Sequence, residues 1–280
     1  MSKMELNIDS RIKLNNNIHI PIIGLGTWIL NGKTAYNAVT WALESGYRLI
    51  DTATIYGNER NVGKAIKDSE ITREEVFITT KVWKSDQGYN NTLAAFDKSL
   101  KKLGLDYIDL YLIHWPVVGK IIETWKAMEK IYDEGKARAV GVSNYNIFFL
   151  NELFDNAKKI PAINQVEFSP FLYQEALLKF CETHNIYLEA YSPLTRGYKL
   201  DHPRLVEIAH KYNKSVPQIL IRWGLQHHVI EIPKSGNKTH IRENIDVFDF
   251  SLKTDEMGQL DNLNEQFRVV EDSVLYVNHK

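Results

Sequence analysis

Eight short apolar runs recur along the chain: IIGLGT, YRLIDT, VFITTK, IDLYLIH, ARAVGVS, AINQVEF, IYLEAYS and VIEIPK, with amphipathic stretches between them. Strands that alternate with helices pair in parallel, because each return crossing is made by the helix. The clearest helical stretches, KTAYNAVTWALESG, NTLAAFDKSLKKLG and IETWKAMEKIYDEG, each end at a glycine placed to stop a helix. Eight is the count at which a parallel sheet closes into a filled barrel, and such barrels typically take ~250 residues; this chain has 280. The expected fold is therefore an α/β chain, a (β/α)8 TIM barrel. An open doubly wound sheet would call for GxGxxG after its first strand, and GLGTWI offers Gly24 and Gly26 but no third glycine. Ahead of the first run, RIKLNNNIHIPI reads as a β-hairpin turning at Asn15, Asn16 and Asn17. It is an extra to the barrel, best placed as a lid closing its N-terminal, bottom end. Neither a linker nor a low-complexity segment breaks the chain, so residues 1–280 are expected to form one domain.

Charge and composition exclude several classes of function. A formal net charge of −1 is no footprint for nucleic acid. No run approaches the ~18 apolar residues of a membrane span, and MSKMELNIDSRIKL has no apolar signal core. The single cysteine, Cys181, precludes an internal disulfide and suits a reducing compartment; it is expected to be a half-buried helix residue. The expectation is a cytoplasmic protein without a metal site and, lacking any heptad seam, a monomer.

The residues that close the runs are polar while the runs behind them are apolar. In a parallel barrel these exits share one face, so sequence-distant side chains can converge there. Asp51 closes the second run, Lys81 the third and His114 the fourth, with Tyr56 five residues after Asp51. Taken singly, Asp51 could cap a helix, Lys81 could be a surface ammonium and His114 a core histidine. Together they form a proton-handling device. A tyrosine is a weak acid with a pKa of about 10, and a neighbouring ammonium is expected to lower it. A buried ammonium keeps its charge only beside a carboxylate. Asp51 can thus hold Lys81, Lys81 can tune Tyr56, and His114 can orient a carbonyl oxygen. General acid catalysis of this kind is worth ~10²–10⁴ in rate. The residues alone do not say what supplies electrons.

The chain resembles the aldo-keto reductases over about residues 10–270. The resemblance is carried by GLGTW, GYRLIDTATIYGNE, VFITTKVW, LGLDYIDLYLIHWP, GKARAVGVSNYN, NQVEFSP, YSPL and IPKSGNKTHIRENIDVFDF, and points toward the bacterial aldehyde- or diketogluconate-reductase-like and prostaglandin F synthase-like members. It implies NADPH, with NADH as an alternative, lying extended across the barrel mouth, and a small-molecule carbonyl as substrate. By the same resemblance Tyr56 is the acid, Asp51 and Lys81 tune it, and His114 orients the carbonyl. Gly26, Thr27, Trp28 and Asp51 are by the same resemblance cofactor-binding positions. Ser143, Asn144 and Gln165 match the positions that hold the carboxamide, and Tyr191 the aromatic on which the ring stacks. Ser192 and Leu194 lie where the family wraps the pyrophosphate, and Lys234, Ser235, His240 and Asn244 at the adenosine end. Trp28, Trp83 and Trp115, with His114, are expected to wall the substrate pocket.

Three departures from the family pattern shape the expectations. His240 stands where many members have an arginine for the 2′-phosphate; a mostly neutral imidazole cannot make that bidentate contact, so a weakened preference for NADPH over NADH is expected. The connection after His114 is short, and the tail FRVVEDSVLYVNHK is short too, which suggests an open, shallow cleft tolerant of many aldehydes, dicarbonyls and sugar- or lipid-derived carbonyls. The alternatives are a slow-turnover nicotinamide-binding regulatory protein of the same fold, and a Schiff-base enzyme using Lys81.

Overall fold

The computed structural model describes residues 6–271. Strands β1 (Arg11–Lys13) and β2 (His19–Pro21) form the antiparallel hairpin, with Asn17 at a φ of 68° in the turn. Eight strands follow in parallel, each paired with the next in sequence: β3 (Leu25–Gly26), β4 (Leu49–Asp51), β5 (Phe77–Val82), β6 (Ile108–Ile113), β7 (Ala137–Ser143), β8 (Ile163–Glu167), β9 (Tyr187–Tyr191) and β10 (Ile230–Glu231). Parallel bridges Ile23–Glu231 and Gly26–Lys234 bring the last strand back to the first and close the barrel. The Gly26 N–H donates to Pro233 O at 3.1 Å. A Cβ on Gly26 would lie 2.8 Å from Ile232 O, so this closure requires glycine.

The helices are α1 (Gly32–Glu44), α2 (Glu59–Lys67), α3 (Tyr89–Leu103), α4 (Ile121–Asp133), α5 (Ile147–Phe154), α6 (Glu175–Thr183), α7 (Pro203–Tyr212), α8 (Val216–Gln226), α9 (Lys238–Ile245) and α10 (Thr254–Asp261). The three stretches expected as helices are α1, α3 and α4. After α3 the chain turns at Gly104, left-handed at a φ of 66°, and its N–H donates to Leu100 O. The crossing from β9 to β10 uses two helices, α7 and α8, where plain alternation calls for one.

Period two along the strands is what builds the site. Leu49, Phe77, Leu112, Ala139, Ile163 and Ile232 belong to the apolar cluster inside the barrel. Counting two or four residues onward from them gives Asp51, Lys81, His114, Ser143, Gln165 and Lys234, all on the same inward face. Leu14 and Ile20 of the hairpin join that inner cluster from below. Asn15 Nδ2 donates to Pro161 O at 3.0 Å and Asn16 Nδ2 to Arg138 O at 2.8 Å, which fastens the hairpin as the bottom lid. Cys181 is fully buried in α6, deeper than expected, and burial pushes its thiol up to about 12. No helix among the described residues is long and apolar enough to cross a membrane.

Candidate active site

Lys81 is fully buried, and its Nζ donates to Asp51 Oδ1 at 2.6 Å, Asp51 Oδ2 at 2.7 Å and Thr52 O at 3.0 Å. Its remaining near neighbour is the Tyr56 hydroxyl, at 3.5 Å. A dry ammonium held by two carboxylate oxygens cannot swing away, so it stays aimed at Tyr56. Tyr56 sits on a one-turn 3-10 helix, Thr54–Tyr56, directly after β4. The buried Asn58 fixes that turn: its Nδ2 donates to Thr27 O and Leu30 O at 2.9 and 2.8 Å, and its Oδ1 accepts from Thr52 at 2.6 Å. His114 lies edge-on to both Tyr56 and Trp83, with ring centroids 5.6 and 5.1 Å away.

Electrostatics correct one expectation. The Tyr56 hydroxyl is held well above its ordinary value by burial, with the Asp51 charge adding to the effect. Lys81 was expected to lower it, but Asp51 already offsets that ammonium. Tyr56 is therefore a fully protonated acid at neutral pH. His114 moves the other way, well below the usual imidazole range, through burial and the nearby Lys81 and Lys84 charges. A neutral imidazole donates one hydrogen bond and carries no competing charge.

A second layer lies beside this group. Gln165 Nε2 donates to Asp51 Oδ2 at 2.8 Å and to Glu189 Oε2 at 2.7 Å. Both amide hydrogens are thus committed, and Gln165 Oε1 remains as an acceptor. Asn144, left-handed at a φ of 64°, donates to His114 O and to Ser143 Oγ, and accepts from the Tyr191 hydroxyl at 2.7 Å. That last bond anchors the hydroxyl end of the half-buried Tyr191 ring.

Residues 22–265 match the family model described as the Aldo/keto reductase family. The chain belongs to the aldo-keto reductase family. It is 53% identical over 262 residues to a 9,11-endoperoxide prostaglandin H2 reductase of Trypanosoma cruzi (strain CL Brener), covering 92% of this chain and 93% of that one. A glyoxal reductase of Bacillus subtilis (strain 168) is 51% identical over 267 residues, 95% of this chain and 97% of its own. Among solved structures, an aldo-keto reductase of Bombyx mori in complex with NADP superposes with a TM-score of 0.88 at 40% identity, covering 94% and 95% of the two chains. The protein is thus an oxidoreductase acting on carbonyl compounds, with the family's barrel.

Around this aldo-keto reductase's mouth the remaining candidates divide by exposure. Trp28 is 40% exposed and stacks with Arg196, whose guanidinium lies 4.2 Å from the ring centre, bringing the loops after β3 and β9 together. Ser192 has a φ of 51° and begins a tight turn that continues through Leu194 into left-handed Thr195 and Arg196. Ser235 and Asn244 are buried, whereas Lys234 and His240 are exposed beside the start of α9. Trp83 is half-buried; Trp115, at 6% exposure, is the tryptophan least open to the mouth. Thr27 is buried and gives its hydroxyl to Asp51 O at 2.8 Å, so it braces the backbone of Asp51. Sequence reasoning missed Asn58, Glu189 and Glu167. Glu167, at the end of β8, accepts from the Val269 and Val270 amides at 2.7 and 3.0 Å, drawing the start of the tail onto the rim. The connection after His114 is short, residues 114–120 leading directly into α4. The tail from 272 onward lies outside the described residues.

Proposed function

We propose that the chain reduces aldehydes and ketones to alcohols with NADPH, using Tyr56 as the proton donor. One observation carries this reading: the Tyr56 hydroxyl meets a buried ammonium that Asp51 holds with both oxygens. Tyr56 keeps its proton until a carbonyl oxygen gains negative charge, and Lys81 then steadies the phenolate left behind. Neutral His114 donates a hydrogen bond to the same oxygen and sets its direction. The residues present also fit the cofactor. Gln165 Oε1 and the Ser143 hydroxyl suit the donor and acceptor of a carboxamide, the Tyr191 ring anchored at its hydroxyl suits a flat heterocycle, and Lys234 suits a phosphate. When bound, the reduced nicotinamide supplies the hydride.

The substrate is read as a small or slender carbonyl compound, including dicarbonyls and lipid-derived carbonyls. The rim supports this, since Trp28, Ile55 and Val118 are 40, 49 and 68% exposed there and offer apolar contact without polar selection. The glyoxal reductase and prostaglandin reductase relatives mark the two ends of that range. We place the protein in the reducing cytoplasm as a monomer, which sedimentation of the purified chain would check. The deciding assay follows NADPH oxidation against aldehydes, ketones and dicarbonyls, with Tyr56→Phe beside the parent. Turnover by the parent and near-loss in the variant is the expected result. Stoichiometric cofactor binding with no turnover on any carbonyl would instead favour the regulatory alternative.

A further inference from the structure

The inner end of the barrel mouth contains two carboxyl groups and one ammonium. Asp51 takes Lys81 with both oxygens, so that pair is balanced. Glu189 is also 0% exposed, and among the described residues its only hydrogen-bond partner is the neutral Gln165 amide, at Oε2. Glu189 Oε1 is buried with no partner at all. Ionised, Glu189 leaves the mouth with one uncompensated negative charge. Protonated, it leaves a hydroxyl with nothing to bond. Either state is costly in a dry site, and a bound cation would remove the cost of the first.

We propose that Glu189 is a positioning residue that leaves the mouth one positive charge short, so that the site favours the oxidised, cationic nicotinamide over the reduced, neutral one and releases a proton on binding it. This rests on the NADPH reading above. Glu189 acts through Gln165, the amide whose orientation it fixes and whose free oxygen faces the cofactor's carboxamide; it touches no reacting atom. Four groups face it: Gln165 from β8, Asp51 from β4, Lys81 from β5 and Tyr56 from the turn after β4. From β10, Ile230 lies beside it and brings no charge. Burial and the Asp51 charge raise the Glu189 carboxyl to about 8, so near pH 7 it is mostly protonated before a cation arrives. On binding, the Oε1 proton leaves to solvent and the carboxylate remains opposite the ring's charge.

The test is calorimetric titration of the full chain with NADP+ and with NADPH near pH 7, in two buffers of different ionisation enthalpy. The 2′-phosphate titrates in both ligands, so the difference between them isolates the ring. NADP+ is expected to release about half a proton or more beyond NADPH. Glu189→Gln keeps an oxygen for Gln165 and should abolish that difference, while weakening NADP+ relative to NADPH by about tenfold, the scale of a charge pair at moderate effective dielectric. A merely structural role would weaken both ligands alike. Equal proton release by the two ligands, or an unchanged affinity ratio in the variant, overturns the proposal. If the variant does not fold, the wild-type difference alone decides. If the parent binds neither ligand, the NADPH reading fails first and this inference with it.

Discussion

The inner and outer halves of the barrel mouth are built on opposite principles. Inside, Lys81, Asp51, Gln165 and Glu189 are each at most 3% exposed and locked by bonds of 2.6–2.8 Å. Outside, Trp28 on the loop after β3, Lys234 on the segment before α9 and His240 in the first turn of α9 are all exposed. A charge fixed in a dry interior acts at nearly full strength and needs no reorganisation when a reaction develops charge. An exposed cation is screened and free to move, and so contributes less. The inner half therefore sets the chemistry, and the outer half adjusts which cofactor and substrate it is given.

The largest expected effect tests the inner half directly. Tyr56→Phe removes the proton while keeping the ring against His114, and kcat should fall by about 10²–10⁴ with little change in Tm. Retained carbonyl reduction would sink Tyr56 as the acid. Next comes Lys81→Met, which leaves Asp51 buried without its ammonium and should cost roughly 3–5 kcal/mol of folding stability. The companion Lys81→Met/Asp51→Asn removes both charges and should recover much of that stability without recovering turnover. Denaturant unfolding of the two variants separates these contributions. If both lose stability equally, the ion pair is not what holds the inner half together.

A third test compares two glutamates with opposite surroundings. Glu189 lies inside the barrel, whereas Glu231 lies on the outer face of β10, where a Cβ on Gly224 of α8 would collide with its Oε1. Burial alone raises the Glu231 carboxyl well above 4.5, and its Oε2 has no partner. Between the unfolded and folded values, the unfolded chain has given up a proton that the folded chain keeps. The contribution of this group is thus intact below the unfolded value and is lost as pH rises, by up to about 1.4 kcal/mol per pH unit. Glu231→Gln should flatten that part of the stability profile and raise Tm more at pH 8 than at pH 5. An equal change at both pH values would mean that Glu231 is ionised in the fold.

Much of this was legible in the chain. The polar residues that close the apolar runs already place Asp51, Lys81 and His114 on one face, and the asparagine-rich turn predicts the hairpin lid. The two glutamates were harder to read, because a single glutamate in IYLEAYS or VIEIPK reads as a solvent-facing strand position. In a barrel both strand faces are buried, one by the inner core and one by helices, so either parity encloses the acid. Glu189 did carry a signal, since it stands two residues before Tyr191 and so shares its inward face. Glu231 carried none, because its position depends on Gly224 in another element. The raised Tyr56 acid was missed for the same reason. Its proton affinity depends on burial and on the Asp51 charge, while the sequence reading weighed only the Lys81 ammonium.

The smallest expected effect belongs to the outer half. His240 is exposed in the first turn of α9, where Asn237 accepts from its backbone N–H at 3.2 Å and Lys234 lies on the preceding segment. An imidazole there lacks the planar fork of donors that a guanidinium offers a 2′-phosphate. Screening limits what that exchange can add. His240→Arg should therefore raise the ratio of kcat/KM for NADPH over NADH by about tenfold, roughly 1.4 kcal/mol, mostly through KM and with kcat on NADPH nearly unchanged. A parent enzyme that already prefers NADPH by more than ~10³-fold, or about 4 kcal/mol, would show that Lys234 and Ser235 hold the phosphate without help from position 240. A fall in kcat in the variant would break the division itself, because a change on the exposed first turn of α9 would then have reached the buried acid.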